Sequence, residues 1–247
     1  MSSAIPYSEE VTEVLGQLWS NVDITKESLH YSLASIAFNP IFWNIAARTE
    51  YSTHLLTKIA GGDKKRGCYL LAFTIFSLGI YRDLLFKQAL EEQVKSPLLD
   101  CQSVKYAGAA FFSLGNLFVL TSMYALGVTG TYLGDYFGIL MDERVTGFPF
   151  SVVDNPMYIG STLSFLGTSL YYGKPAGVLI TLFVHIMYTI ALKFEEYVLI
   201  VSIFLSFKLL TFINFTDLSL LRSTLLEIKI LRSSTSTCDS IISHTYK

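Results

Sequence analysis

Apolar residues in this chain gather into runs of the length needed to cross a bilayer. The first, Leu29 to Ala47, has no Asp, Glu, Lys or Arg, yet carries Asn39-Pro40 near its middle. Proline removes a backbone donor and disfavours helix at the residue before it. A broken or re-entrant segment and a straight span therefore both fit. The second run, Gly67 to Phe86, is interrupted by Arg82-Asp83 near its end. The third, Tyr106 to Gly134, is uncharged throughout. The fourth, Met157 to Tyr172, is short, and Gly173-Lys174-Pro175 separates it from the fifth, Ala176 to Leu192. A helix of about 17 residues rises roughly 26 Å, slightly less than a hydrocarbon core of about 30 Å. The fourth and fifth runs suit a tight antiparallel hairpin, with Asp154 and Glu195 at ends that share one membrane face.

A last apolar run, Val198 to Phe215, carries only Lys208 and leads into a Ser/Thr-rich tail. The pattern predicts an all-α, polytopic membrane helix bundle of about four or five apolar segments, the first either spanning or re-entrant. It divides the chain into a polar N-terminal segment at 1–28, a membrane domain at 29–196 and a divergent tail at 197–247.

Composition agrees. Hydrophobic residues make up 51% of the 247 and charged residues only 15%, where soluble domains carry nearer a quarter. The net charge of −2 gives no polyanion footprint, so nucleic acid is not an expected partner. Three scattered cysteines, Cys68, Cys101 and Cys238, have no CxxC spacing and suggest neither a disulfide framework nor a metal site. The N-terminal stretch lacks a basic region followed by an apolar core, so no cleavable signal is expected and insertion falls to internal spans. Basic residues between runs one and two barely outnumber those between two and three, so orientation stays open.

The unusual polar chemistry lies between the third and fourth runs. Gly127, Gly130, Gly134 and Gly138 allow tight turns there, and Asp135, Asp142, Glu143, Arg144 and Asp154 adjoin several aromatics. This stretch reads either as an interfacial loop with an aromatic belt or as a binding loop for a lipid head group. A guanidinium matches phosphate bidentately, which makes Arg144 a substrate-binding candidate. His185, inside the fifth run, reads as a site candidate or as a core hydrogen-bonding residue.

Specific strings carry a resemblance. GVTGTYLGDYFGILMDERVTGFPF followed by DNPMYIGSTLSFLG, with FNPIFWNIAARTEY, GCYLLAFTIFSLGIYRD and GKPAG, resembles the phospholipid methyltransferase family, especially its fungal phosphatidyl-N-methylethanolamine branch. The similarity covers about residues 21–196. It implies methyl transfer from S-adenosylmethionine to a phospholipid amine, without a metal. It also implies an endoplasmic reticulum membrane location, with a mitochondrial membrane as the alternative. The family's G-x-G donor motif corresponds to Ser113-Leu114-Gly115, with serine at the first glycine. The bland reading of that triplet is a small-residue packing face. The family's acidic pair corresponds to Glu195-Glu196, whose bland reading is a charged helix end. Asp154, Asn155 and Tyr158 are the candidates for the amine end, with Asp154 as base and Tyr158 against the cation. After Glu196 the chain departs from the family, which continues with proline. A retained intron is the reading of that departure, with a genuine extra membrane segment as the alternative and an impaired family member as a consequence. The residues beyond about Val198 are expected to pack loosely, outside the working fold.

Overall fold

A computed structural model describes the backbone of residues 7–213 and the side chains of residues 12–13 and 16–195. All regular structure among them is helical: α1 (Tyr7–Ser20), α2 (Glu27–Thr53), α3 (Leu55–Ile59), α4 (Lys64–Glu92), α5 (Gln102–Thr131), α6 (Pro156–Tyr171) and α7 (Pro175–Ile213), with a 3-10 turn at Gly134–Phe137.

Local chemistry sets the boundaries. Asp63 caps α4 by accepting from the backbone N–H of Lys65 at 2.9 Å and of Arg66 at 3.2 Å. Gly173, at φ 64°, closes α6, and Pro175 opens α7. Gly127, at φ 64° and ψ −177°, kinks α5 in a conformation that only glycine adopts readily.

Two features settle open points of the sequence pattern. The Asn39-Pro40 run is one continuous helix, α2, and the proline is accommodated inside it. Asn39 Nδ2 donates to the Leu78 carbonyl of α4 at 3.3 Å, and Asn44 Nδ2 donates to the Pro40 carbonyl at 3.0 Å. Neighbouring helices and polar side chains commonly support such a proline in a membrane bundle. The fifth run and the final apolar run, read as separate segments, join in the single helix α7. No glycine or proline interrupts the chain from Val178 to Ile213, so the backbone has no reason to stop at the acidic pair. The expectation of loose packing beyond Val198 concerns side chains outside the described residues.

Among the described residues, three helical stretches are long and apolar enough to cross a membrane: Lys64–Glu92, Gln102–Phe137 and Pro175–Glu195. Their outer faces present Phe73, Leu120 and Tyr124, as a bilayer solvent requires. The protein is thus a polytopic helical membrane bundle. Its core joins α2, α4, α6 and α7 through Ile36, Phe86, Phe165, Ile180 and Val184. A second cluster, Cys68, Leu71 and Phe137, seats the 3-10 turn against α4.

α5 and α6 pack on glycine. A methyl added at Gly115 would sit 2.4 Å from the Gly160 carbonyl oxygen, and one at Gly167 would sit 2.4 Å from the Phe112 nitrogen. Gly108 faces the backbone of Gly167 and Tyr171 in the same way. The two backbones are therefore in direct contact along the seam, the arrangement small residues permit between membrane helices.

Candidate functional site around Glu195

The α5–α6 seam fixes the depth of the site. Gly115, near the middle of α5, meets Gly160, which follows Tyr158 by two residues. From Gly115 to the kink at Gly127, α5 rises a further 18 Å or so. The loop between the 3-10 turn and α6 comes back along that length, with Phe148 and Phe118 ring centroids 6.1 Å apart. The start of α6 thus lies partway down α5 rather than level with its end.

α6 and α7 run antiparallel, which brings Tyr158 near the start of one to Glu195 far along the other. The Tyr158 hydroxyl donates to Glu195 Oε1 at 2.8 Å. The Trp43 indole of α2 donates to the same oxygen at 3.0 Å. A carboxylate inside a membrane bundle is costly unless paired or hydrogen-bonded, and these two donors come from two different helices. Aromatic faces surround them. Tyr158 and Tyr188 meet edge to face, with centroids 5.0 Å apart. Tyr136, on the 3-10 turn, lies within electrostatic reach of both Glu195 and Arg48 and meets Tyr51 edge-on at 6.3 Å.

Two guanidiniums belong to this region. Arg82 Nη1 donates to the Tyr188 hydroxyl at 2.6 Å, while its Nε and Nη2 donate to Asp83 Oδ1 at 3.0 and 2.8 Å. Arg48 Nη2 donates to the Phe194 carbonyl at 3.2 Å, and its guanidinium lies 5.6 Å from the Phe194 ring centre.

The sequence candidates fall in different settings. Tyr158 and Glu195 are brought together. Asn155, at φ 53°, is the residue before α6, and Asp154 lies exposed one turn before Tyr158. Arg144 lies exposed in the preceding loop. On α5, Gly115 faces the α6 seam, whereas Ser113 and Leu114 are exposed, and the Ser113 hydroxyl bonds the Ala109 carbonyl of its own helix at 2.8 Å. The Glu196 side chain lies outside the described residues. His185 is exposed on α7, so it is not the buried histidine that its place in an apolar run suggested.

Trp43 and Arg48 are the site residues that sequence reasoning missed. Trp43 sits inside one of the strings that carry the resemblance, and Arg48 closes the uncharged run around it, which was the available signal. Glu50 is a different case. It is fully buried, and it accepts from Leu56 N at 2.7 Å, from Thr57 N at 3.2 Å and from the Thr57 hydroxyl. It caps α3 and holds the end of α2, a structural duty.

An integral membrane helix bundle with a carboxylate held by tryptophan and tyrosine between its helices is the class that fold and site define. The sequence profile described as phospholipid methyltransferase matches residues 104–206. Phosphatidyl-N-methylethanolamine N-methyltransferase of Saccharomyces cerevisiae is 57% identical over 188 residues, covering 76% of this chain and 91% of that one. The enzyme of the same name from Neurospora crassa is 58% identical over 182 residues, 74% of this chain and 85% of the relative. Phosphatidylethanolamine N-methyltransferase of Rattus norvegicus is 48% identical over 175 residues, 71% and 87% respectively. No solved structure matches the chain. With this identity over most of its length, the chain belongs to the phospholipid methyltransferase family, and it is an enzyme of that family.

Proposed function

We propose that the site around Glu195 transfers methyl groups from S-adenosylmethionine to the head-group amine of phosphatidyl-N-methylethanolamine and phosphatidyl-N,N-dimethylethanolamine, forming phosphatidylcholine. The observation that carries this reading is Glu195, its Oε1 accepting from Trp43 at 3.0 Å and Tyr158 at 2.8 Å, between helices of a membrane bundle. A carboxylate ringed by aromatic faces suits a cation, and both the sulfonium donor and the methylated ammonium products are cations. No group of three or more His, Cys, Asp or Glu side chains among the described residues is arranged to hold a metal.

The chemistry is a displacement. The amine nitrogen lone pair forms the new N–C bond, and the C–S bond electrons stay on sulfur as a neutral thioether. Each turn releases one proton, because the amine enters as an ammonium and must be deprotonated before it attacks. Asp154, exposed one turn before Tyr158, takes that proton directly or through water. Glu195, with Glu196 beside it in the chain, holds the donor's positive end. Ser113, Leu114 and Gly115 of α5 are assigned to the donor through the family motif they match, and Gly115 keeps α5 against α6 near the level of Tyr158. Asn155 and Tyr158 orient the amine, and Arg144 meets the head group from the loop. Holding both reactants in line is itself worth several kcal/mol of barrier. The enzyme acts in the endoplasmic reticulum membrane, with a mitochondrial membrane as the second candidate.

The test uses purified protein, radiolabelled methyl donor and defined ethanolamine, monomethyl and dimethyl phospholipids. Labelled phosphatidylcholine from the mono- and dimethylated lipids is the expected product. No labelled phospholipid, or labelling of prenylated cysteine carboxylate offered in parallel in place of the lipids, would sink the reading.

A further inference from the structure

Two guanidiniums enter the bundle, and they are not equivalent. Arg82 spends Nε and Nη2 on Asp83 and Nη1 on Tyr188, and it lies over the Phe165 ring at 5.0 Å, so the protein itself completes it. Arg48 is held by the Phe194 carbonyl through Nη2, but its Nε is buried without a hydrogen-bond partner. A buried donor left without an acceptor is costly, and more so on a charged group. Such a group is expected where a ligand supplies the missing acceptor.

The position of Arg48 says what kind of ligand. It bonds the carbonyl of the residue that precedes Glu195, and Tyr136 feels the charge of both. A fixed cation and a fixed carboxylate thus flank one aromatic cluster. That arrangement matches a zwitterion, with its cationic end toward Glu195, Trp43 and Tyr158 and its anionic end toward Arg48. We propose that Arg48 is the anion-binding half of the site and takes an oxyanion of a zwitterionic substrate. Two sources carry that chemistry: the phosphodiester of the lipid head group and the carboxylate of the methyl donor. A guanidinium fork suits either bidentately. This inference rests on the function proposed above and adds a binding residue to it.

The experiment compares unaltered enzyme with Arg48→Gln and Arg48→Lys, in intact S-adenosylmethionine and in its decarboxylated analogue, against monomethylated lipid. If Arg48 holds the donor carboxylate, Arg48→Gln raises KM for the intact donor about ten-fold or more and leaves the decarboxylated donor unchanged. If it holds the phosphodiester, KM for lipid rises by that amount and the preference between donors is unchanged. Arg48→Lys keeps the charge without the fork, and in either case it falls between the other two proteins. The proposal is overturned if neither KM rises, or if lipid and both donors weaken alike. Arg48 would then only lock α2 to α7. Inactive unaltered protein would overturn the proposed function as well, a result distinct from an active enzyme indifferent to Arg48.

Discussion

Two polar clusters tie these helices together, and they are finished differently. The first joins the ends of α4 and α6 to the loop before α2. Gln93 Oε1 accepts from Asp23 N at 2.9 Å, and its Nε2 donates back to Asp23 O at 2.8 Å. The Lys174 ammonium donates to the Gln93 carbonyl, Ser96 N donates to Gly173 O at 3.0 Å, and Ser28 donates to Glu92 at 2.7 Å. Every charged group named there meets a partner from another element. The second cluster gathers Trp43, Arg48, Tyr136, Tyr158 and Glu195 toward the other ends of α2, α6 and α7. It has opposite charges, aromatic faces and a buried guanidinium nitrogen that the protein leaves unbonded. The first cluster pairs its charges within the fold and leaves only a neutral hydroxyl of its own, that of Ser96, without a hydrogen bond. The second leaves a charged nitrogen, Arg48 Nε, with its bond unmade. A charged group inside a membrane bundle is thus read best by its unspent bonding capacity, not by its burial.

Substitutions can break that contrast. The largest effect is expected from Asp154→Asn. Loss of a general base costs about 100-fold or more in kcat, with much smaller changes in either KM. Steady-state kinetics would show this, and a rise confined to the lipid KM would make Asp154 a head-group contact instead. Next is Glu195→Gln. It keeps the volume but removes the charge that holds two donors, and should weaken methyl-donor binding about ten- to 100-fold while helicity and membrane insertion persist. Unchanged donor binding by calorimetry would return Glu195 to a structural role. Trp43→Phe removes one donor and keeps an aromatic face. A loss of about ten-fold in donor affinity is expected, less than for Glu195→Gln.

The smallest effect on catalysis should come from Lys174→Met, in the first cluster. About 1 kcal/mol of stability should be lost with both KM values unchanged. Its pH dependence has a definite sign. Burial, and then the nearby Lys95 charge, hold the Lys174 ammonium below its ordinary value of 10.5 in the folded protein. The unfolded chain therefore binds more protons between the depressed value and 10.5, so stability rises with pH across that window. Thermal unfolding should show the unaltered protein gaining on Lys174→Met as pH rises through it. A constant difference would mean Lys174 titrates normally.

Much of this was legible in the chain. The apolar runs map onto α2 and α4 to α7 because lipid-facing helices advertise themselves by length and lack of charge. Asn39-Pro40 misleads as a break because the backbone stays helical through it, with Asn39 tied across to the Leu78 carbonyl of α4. The fifth and last apolar runs read as separate segments, yet the backbone continues from one into the other, since no helix breaker lies between them. At the site, Tyr158 and Glu195 stood out by residue type and by the family strings. Trp43 did not, because its partner lies 152 positions away and only the packing of α2 on α7 joins them. Arg48 counted merely as one more basic loop residue. Its meaning depends on a bond it does not make, which no sequence records. The Ser113-Leu114-Gly115 triplet could be read as packing or as binding. The seam accounts for Gly115 in structural terms and shows Ser113 facing outward.

The glycine seam has a consequence for how this chain sits in a bilayer. α6 has 16 residues and rises about 24 Å, too short to bridge a typical hydrocarbon core alone. With its backbone pressed on α5 at Gly108, Gly115, Gly160 and Gly167, it shares the footing of a helix that is long enough. In a bilayer α5 and α6 therefore behave as one packed hairpin, the shorter helix held at depth by the longer. The polar loop that ends in Asp154 is the crease of that hairpin, so its depth is set by the same glycines.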